Sequence, residues 1–141
     1  MKNIANCKLY LYVILSMLLI AGCQEFIVIS VNSVNSEISF ELEKKIQVCN
    51  FSVMRYETPE QKSGTNNEIL WEIEPTNKCD KSLSMLKKIT YGIVPKGFRQ
   101  IVTPEIITTG TYYLTVDGRT NNIYGGMLME CENYNCTKIS M

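Results

Sequence analysis

The sequence predicts an all-β fold, an antiparallel sandwich of about seven or eight strands, and three observations carry that expectation. From Trp71 to Val116 short alternating apolar runs are separated by Pro and Gly, the pattern of half-buried strands and their turns. Turn signals recur along the chain roughly every 8–12 residues, the spacing of sandwich strands. Gly110-Thr111-Tyr112-Tyr113, following Ile106-Ile107, resembles the tyrosine corner of immunoglobulin-like and fibronectin-type domains, in which a tyrosine opening a late strand bonds back to the preceding backbone. Alternation of Tyr112, Leu114 and Val116 favours Tyr112 as the corner residue, whereas spacing counted from Ile107 favours Tyr113. Two ordinary strand tyrosines with no special bond are the plainer alternative.

Taken in order, Phe26 to Val31 is nearly continuous apolar sequence rich in β-branched residues, and Asn32 to Ser36 is a polar turn or part of a tether. Ile38, Phe40 and Leu42 alternate with Ser39, Glu41 and Glu43, a strand buried on one face. Ile46, Val48, Phe51 and Val53 make a second strand with a bulge near Cys49, and Tyr56 to Asn67 is a loop. Leu70, Trp71 and Ile73 form a strand that should stop near Pro75. Met85 to Tyr91 is a strand on the strength of Ile89-Thr90 and the breaker Gly92, with a short helical turn at 82–86 as the alternative. Pro95-Lys96-Gly97 is a turn by residue chemistry. Phe98 to Thr103, Tyr112 to Val116, Tyr124 to Met129 and Thr137 to Ile139 complete the strands, with a turn at Asp117-Gly118.

The chain has 141 residues, 45% apolar and 20% charged, which is one globular domain plus a leader. Its first eight residues carry Lys2 and Lys8, twelve uncharged residues follow from Leu9 to Ile20, and then comes Ala21-Gly22-Cys23. That order of basic start, apolar core and small residues is a signal peptide over 1–22, too short to span a bilayer. Ile20-Ala21-Gly22-Cys23 resembles the lipobox of bacterial lipoproteins, which implies cleavage before Cys23 and acylation of its thiol. Each buried methylene adds ~0.8 kcal/mol, so several acyl chains would hold residues 23–141 at a membrane, with 23–36 partly a tether. Gln24, rather than Asp, implies by the same resemblance the outer membrane and its periplasmic face. Past residue 22 there are twelve basic and fourteen acidic residues, a net charge of −2, which offers nucleic acid no basic face.

Four cysteines then remain in an oxidising compartment, Cys49, Cys79, Cys131 and Cys136, enough for two disulfides and three pairings. Cys131–Cys136, enclosing four residues, fits a strand reversal, and leaves Cys49–Cys79, whose thirty-residue loop would contribute ~3–4 kcal/mol. A metal site is the weaker alternative, because histidine is absent and no Cys-x-x-Cys pair occurs. The same lack of histidine leaves every Ser and Cys without the usual activating base. Glu72 and Glu74 share a strand face opposite Trp71 and Ile73; paired carboxylates can serve glycoside hydrolysis, but a solvated outer face is the simpler reading. The residues thus imply no catalysis and no cofactor.

With Trp71 and Pro75, then Leu86, Ile89, Tyr91, Gly92, Pro95, Gly97, Phe98 and Gln100, then Pro104, Gly110, Tyr112, Leu114 and Val116 in view, the central stretch resembles a family of small Gram-negative lipoproteins identified as periplasmic immunity proteins against type VI secretion effectors. With the lipobox, the resemblance covers roughly half the chain. Two departures stand out: Met127-Leu128-Met129 replaces the family's closing aromatic strand, and the Cys131–Cys136 loop is an addition. The resemblance implies a non-catalytic binder that holds a secreted toxin in the periplasm. Its contacts would fall on the loop at 58–67 and the tip at 132–135, where Tyr134 is the one aromatic. The alternatives are a structural or accessory envelope lipoprotein, and an inhibitor of the lysozyme-inhibitor kind, whose familiar motifs are not evident.

Overall fold

Apolar alternation from Ile38 to Val53 forms one continuous strand of 19 residues, Glu37–Arg55, where the sequence reads as two. The computed structural model describes residues 25–56, 68–77, 85–119 and 123–139. Within them lie β1 (Glu25–Phe26), β2 (Ile29–Val34), β3 (Glu37–Arg55), β4 (Ile69–Pro75), β5 (Met85–Thr90), β6 (Phe98–Val102), β7 (Gly110–Gly118), β8 (Ile123–Glu132) and β9 (Asn135–Lys138), with no helix among the described residues. The expected all-β sandwich is what forms. Its strands are antiparallel apart from β1, which pairs parallel with β8.

β3 belongs to both layers. Its first half pairs with β2 on one side and β5 on the other, forming the small layer. Its second half pairs with β4 and β7, and the large layer runs β1-β8-β7-β3-β4-β6, with β9 also on β8. The phenyl rings of Phe40 and Phe51 sit 5.5 Å apart. Eleven residues of straight strand would separate them by about 36 Å, so β3 must coil over and lay its first half on its second. Two irregularities permit this. Five steps along β3, from Glu41 to Ile46, are matched by two along β5, from Lys88 to Leu86. One extra residue, Cys49, then sits between Val48↔Gly118 and Asn50↔Asp117, the bulge expected there. Glu43-Lys44-Lys45, exposed at the crossing, explains why the sequence looks interrupted.

The other strand ends differ in small ways. Phe26 to Val31 divides at Ile27-Val28, and β2 runs on through Val34 instead of yielding to a tether. Asn35 and Ser36, both at positive φ, close a two-residue hairpin whose twist suits the flanking strands. β7 continues past the expected turn to Gly118, and β4 includes Pro75, which faces Phe98 at its end. Leu70 and Trp71 are both buried although adjacent, because a bulge between Val53↔Trp71 and Met54↔Ile69 turns both inward. The loop at 58–67 lies outside the described residues; of the alternative helical turn at 82–86, residues 82–84 lie outside them as well, while Met85 and Leu86 belong to β5.

Between the layers, Phe40, Phe51, Trp71 and Tyr91 form a chain of aromatic contacts, with centroids 5.5, 5.7 and 5.2 Å apart. Ile29, Leu42, Ile73, Leu114, Val116 and Met129 fill the space around them. Each such side chain contributes about 1.5–3 kcal/mol when fully removed from water. On the side away from β5 and β6, Ser33 on β2 receives the Cys136 backbone N–H at 2.9 Å and ties the small layer to β9.

Candidate functional site

Most residues singled out in the sequence hold the sandwich together. Trp71 and Tyr112 are fully buried, Phe98 and Pro75 nearly so. The Tyr112 hydroxyl accepts the Thr108 backbone N–H at 3.0 Å and donates to the Thr108 carbonyl at 2.9 Å, so Tyr112 and not Tyr113 is the corner residue. Arg55, at the end of β3, lies over the Tyr112 ring at 5.9 Å. The Tyr113 hydroxyl instead points to the outer face and meets that of Tyr124 at 2.8 Å. Pro95 and Gly97 make the expected turn: the Pro95 carbonyl accepts the Phe98 N–H at 3.1 Å and the Gly97 carbonyl accepts the Thr76 N–H at 2.9 Å. Gly97, with φ 87, and Gly92, with φ 77, occupy the left-handed region that a side chain disfavours. Gly110 opens β7 against the Tyr112 ring.

Cys131 and Cys136 face each other across the β8–β9 hairpin with Cα atoms 4.1 Å apart and are disulfide-bonded. Cys49 is disulfide-bonded as well, while Cys79, its expected partner, lies outside the described residues. Cys23 also lies outside them. Glu72 and Glu74 do share an outer face but are engaged separately: Asn50 Nδ2 donates to Glu72 at 2.7 Å, and Arg99 pairs with Glu74.

Tyr134 sits in the turn at the hairpin tip, where the sequence expects it, but its ring is half-buried. The hairpin turn is only Asn133-Tyr134, both at positive φ, and this folds the Tyr134 ring back against the core, half-buried. There it lines an open hollow of about 330 Å³ at one end of the sandwich. Four connections meet at this hollow: the Asn35-Ser36 turn with the start of β3, the end of β5 with Tyr91 and Ile93, the segment Pro104-Glu105-Ile106 before β7, and the β8–β9 turn. The strand ends that the 58–67 loop joins open at the same end, since Tyr56 N–H bonds the Thr111 carbonyl and the Glu105 N–H bonds that of Leu70.

Two groups fix the floor and the rim. Tyr91 packs its ring edge-to-face with Trp71 and donates its hydroxyl to the Glu105 carbonyl at 2.7 Å. Burial, and then the nearby Glu105 charge, push that hydroxyl well above the ordinary tyrosine range. It is therefore a neutral donor at any physiological pH. On the rim Ile93 is 56% and Ile106 71% exposed, two aliphatic side chains open to solvent beside the half-buried tyrosines. Sequence reasoning missed both isoleucines, because they lie in irregular segments where no periodicity assigns a face.

The fold and this site define an all-β sandwich with a corner tyrosine, a disulfide-closed hairpin and an apolar hollow at one end. No family model, curated protein or solved structure matches the chain.

Proposed function

We propose that this chain is an exported lipoprotein, acylated at Cys23 and held at the periplasmic face of the outer membrane. There it acts as a non-catalytic binding protein that confers immunity to a type VI secretion effector. The observation that carries the binding role is the end of the sandwich where Tyr91, Tyr134, Ile93 and Ile106 converge. Aromatic and aliphatic side chains on a rigid framework, half open to solvent, are what protein recognition uses as anchors. The lipobox and signal peptide support the location, and the resemblance of the central stretch supports the class of partner.

The test is to search beside this gene for an encoded toxin, direct that toxin to the periplasm with and without this protein, and count survivors. Protection is expected from the wild type and diminished protection from Cys23→Ser, whose lack of fatty-acid label is checked in the same cells. Equal killing with and without the protein, together with no complex in a pull-down, would leave an accessory envelope role in place of immunity.

A further inference from the structure

Among the described residues the hollow carries charge of one sign only: two carboxylates, Glu37 from the start of β3 and Glu105 from the segment before β7, stand on its lining, and no described lysine or arginine does. Both are exposed, and neither forms an ion pair with any described residue. Elsewhere Glu25, Glu41, Glu68 and Glu74 each have a Lys or Arg opposite, while Glu43, Asp117, Glu130 and Glu132 also stand without one among the described residues; what sets Glu37 and Glu105 apart is the apolar lining beside them. The same lining holds Tyr91 and Tyr134 and the exposed Ile93 and Ile106. Apolar side chains and two carboxylates without an ion pair thus share one hollow.

Resting on the binding role proposed above, we infer that this hollow is the recognition site, and that its occupant is a protein segment presenting an arginine or lysine beside an apolar side chain. Each part of the occupant has its counterpart. The apolar side chain fills the floor and removes Ile93 and Ile106 from water. The cation meets Glu37 or Glu105 on the rim and can lie over a tyrosine ring. A carboxylate arriving at the same place would face like charge with no cation to receive it, so acidic segments are rejected. A phosphate or nucleic-acid backbone is excluded on the same ground.

The experiment selects random linear heptapeptides, displayed on phage, against the exported protein in lipid nanodiscs, so that detergent cannot occupy the hollow. Enriched sequences are then synthesised and titrated by fluorescence anisotropy. They should carry Arg or Lys within a position or two of Leu, Ile, Met, Phe or Trp. Ile106→Asp or Tyr134→Asn should weaken them at least about tenfold; asparagine tolerates the positive φ of that position. The double change Glu37→Gln with Glu105→Gln should weaken them several-fold and flatten the salt dependence. All these side chains are at or near the surface, and circular dichroism and thermal melting confirm that each variant folds.

Enrichment of acidic or uncharged peptides, affinities indifferent to the variants, or no enrichment at all would overturn the inference. So would concentration-dependent self-association abolished by Ile106→Asp, which would make a second copy the occupant. The two readings fail separately. If the toxin kills regardless of the wild-type protein, immunity falls and the peptide results stand. If Ile106→Asp and the double glutamine variant protect as well as wild type, immunity stands and the hollow is not its site.

Discussion

Tyr112 shows how one hydroxyl can fix the path of a chain. Its ring is buried in the core, and its oxygen holds both the N–H and the carbonyl of Thr108, so the segment entering β7 is clamped before the strand begins. Tyr112→Phe keeps the ring and removes only that clamp; with net values of about 0.5–1.5 kcal/mol for each of the two hydrogen bonds, it should cost about 1–3 kcal/mol. Tyr113→Phe, losing a single bond on the outer face, should cost less. Urea unfolding of the two variants checks this, and an equal loss would mean the clamp adds nothing beyond an ordinary surface bond. The corner was legible in Gly110-Thr111-Tyr112 because it is local, a residue bonding to one four positions earlier. Ambiguity between the two tyrosines was resolved by alternation, since inward positions on β7 are Tyr112, Leu114 and Val116.

At the scale of elements, the β8–β9 hairpin was also readable, because Cys131-Glu132-Asn133-Tyr134-Asn135-Cys136 encodes its own reversal. Closing so short a loop contributes about 2 kcal/mol on the entropy model. Cys131→Ser with Cys136→Ser should lower stability by that amount and loosen β9 first, because only four residues of β9 pair with β8. Non-reducing peptide mapping should join Cys131 to Cys136 and Cys49 to Cys79; Cys49 found with any other partner would refute the second pairing. β3 was less legible. Glu43-Lys44-Lys45 reads as a break by composition, yet the strand passes through it, because the crossing between layers is exposed and needs no apolar face. The hollow was not legible at all. Its lining comes from Asn35 to Tyr134, and only the coiling of β3 brings those positions together.

For the whole molecule, the tyrosine hydroxyls set the response to alkali. Tyr124 is pushed up to about 12, first by its hydrogen bond with Tyr113 and then by burial. Tyr91 is raised in the same direction, chiefly by burial. In the unfolded chain both would release their protons near pH 10. The folded state therefore holds protons that the unfolded state has lost, and stability falls as pH rises. This contribution is fully present below pH 10 and is lost as pH climbs through about 12. Urea midpoints should drop between pH 9 and pH 11.5, and drop less in Tyr113→Phe, where the bond that raises Tyr124 is gone. Identical drops in both proteins would count against that coupling. The short strand β1 has a separate bearing on how the molecule stands. Glu25 is already paired with Ile123, only two residues beyond Cys23, a reach of about 7 Å. Were Cys23 acylated as proposed above, that short reach would leave no stalk, and the start of β8 would lie against the headgroups with Phe26, 61% exposed, beside them. β8 then runs ten residues, about 30 Å, before it reaches the hairpin of Tyr134. On that proposal the anchor would fix the bearing of the sandwich as well as its address, with the hollow carried outward, and a flexible insert after Cys23 would abolish that bearing while leaving the hollow intact.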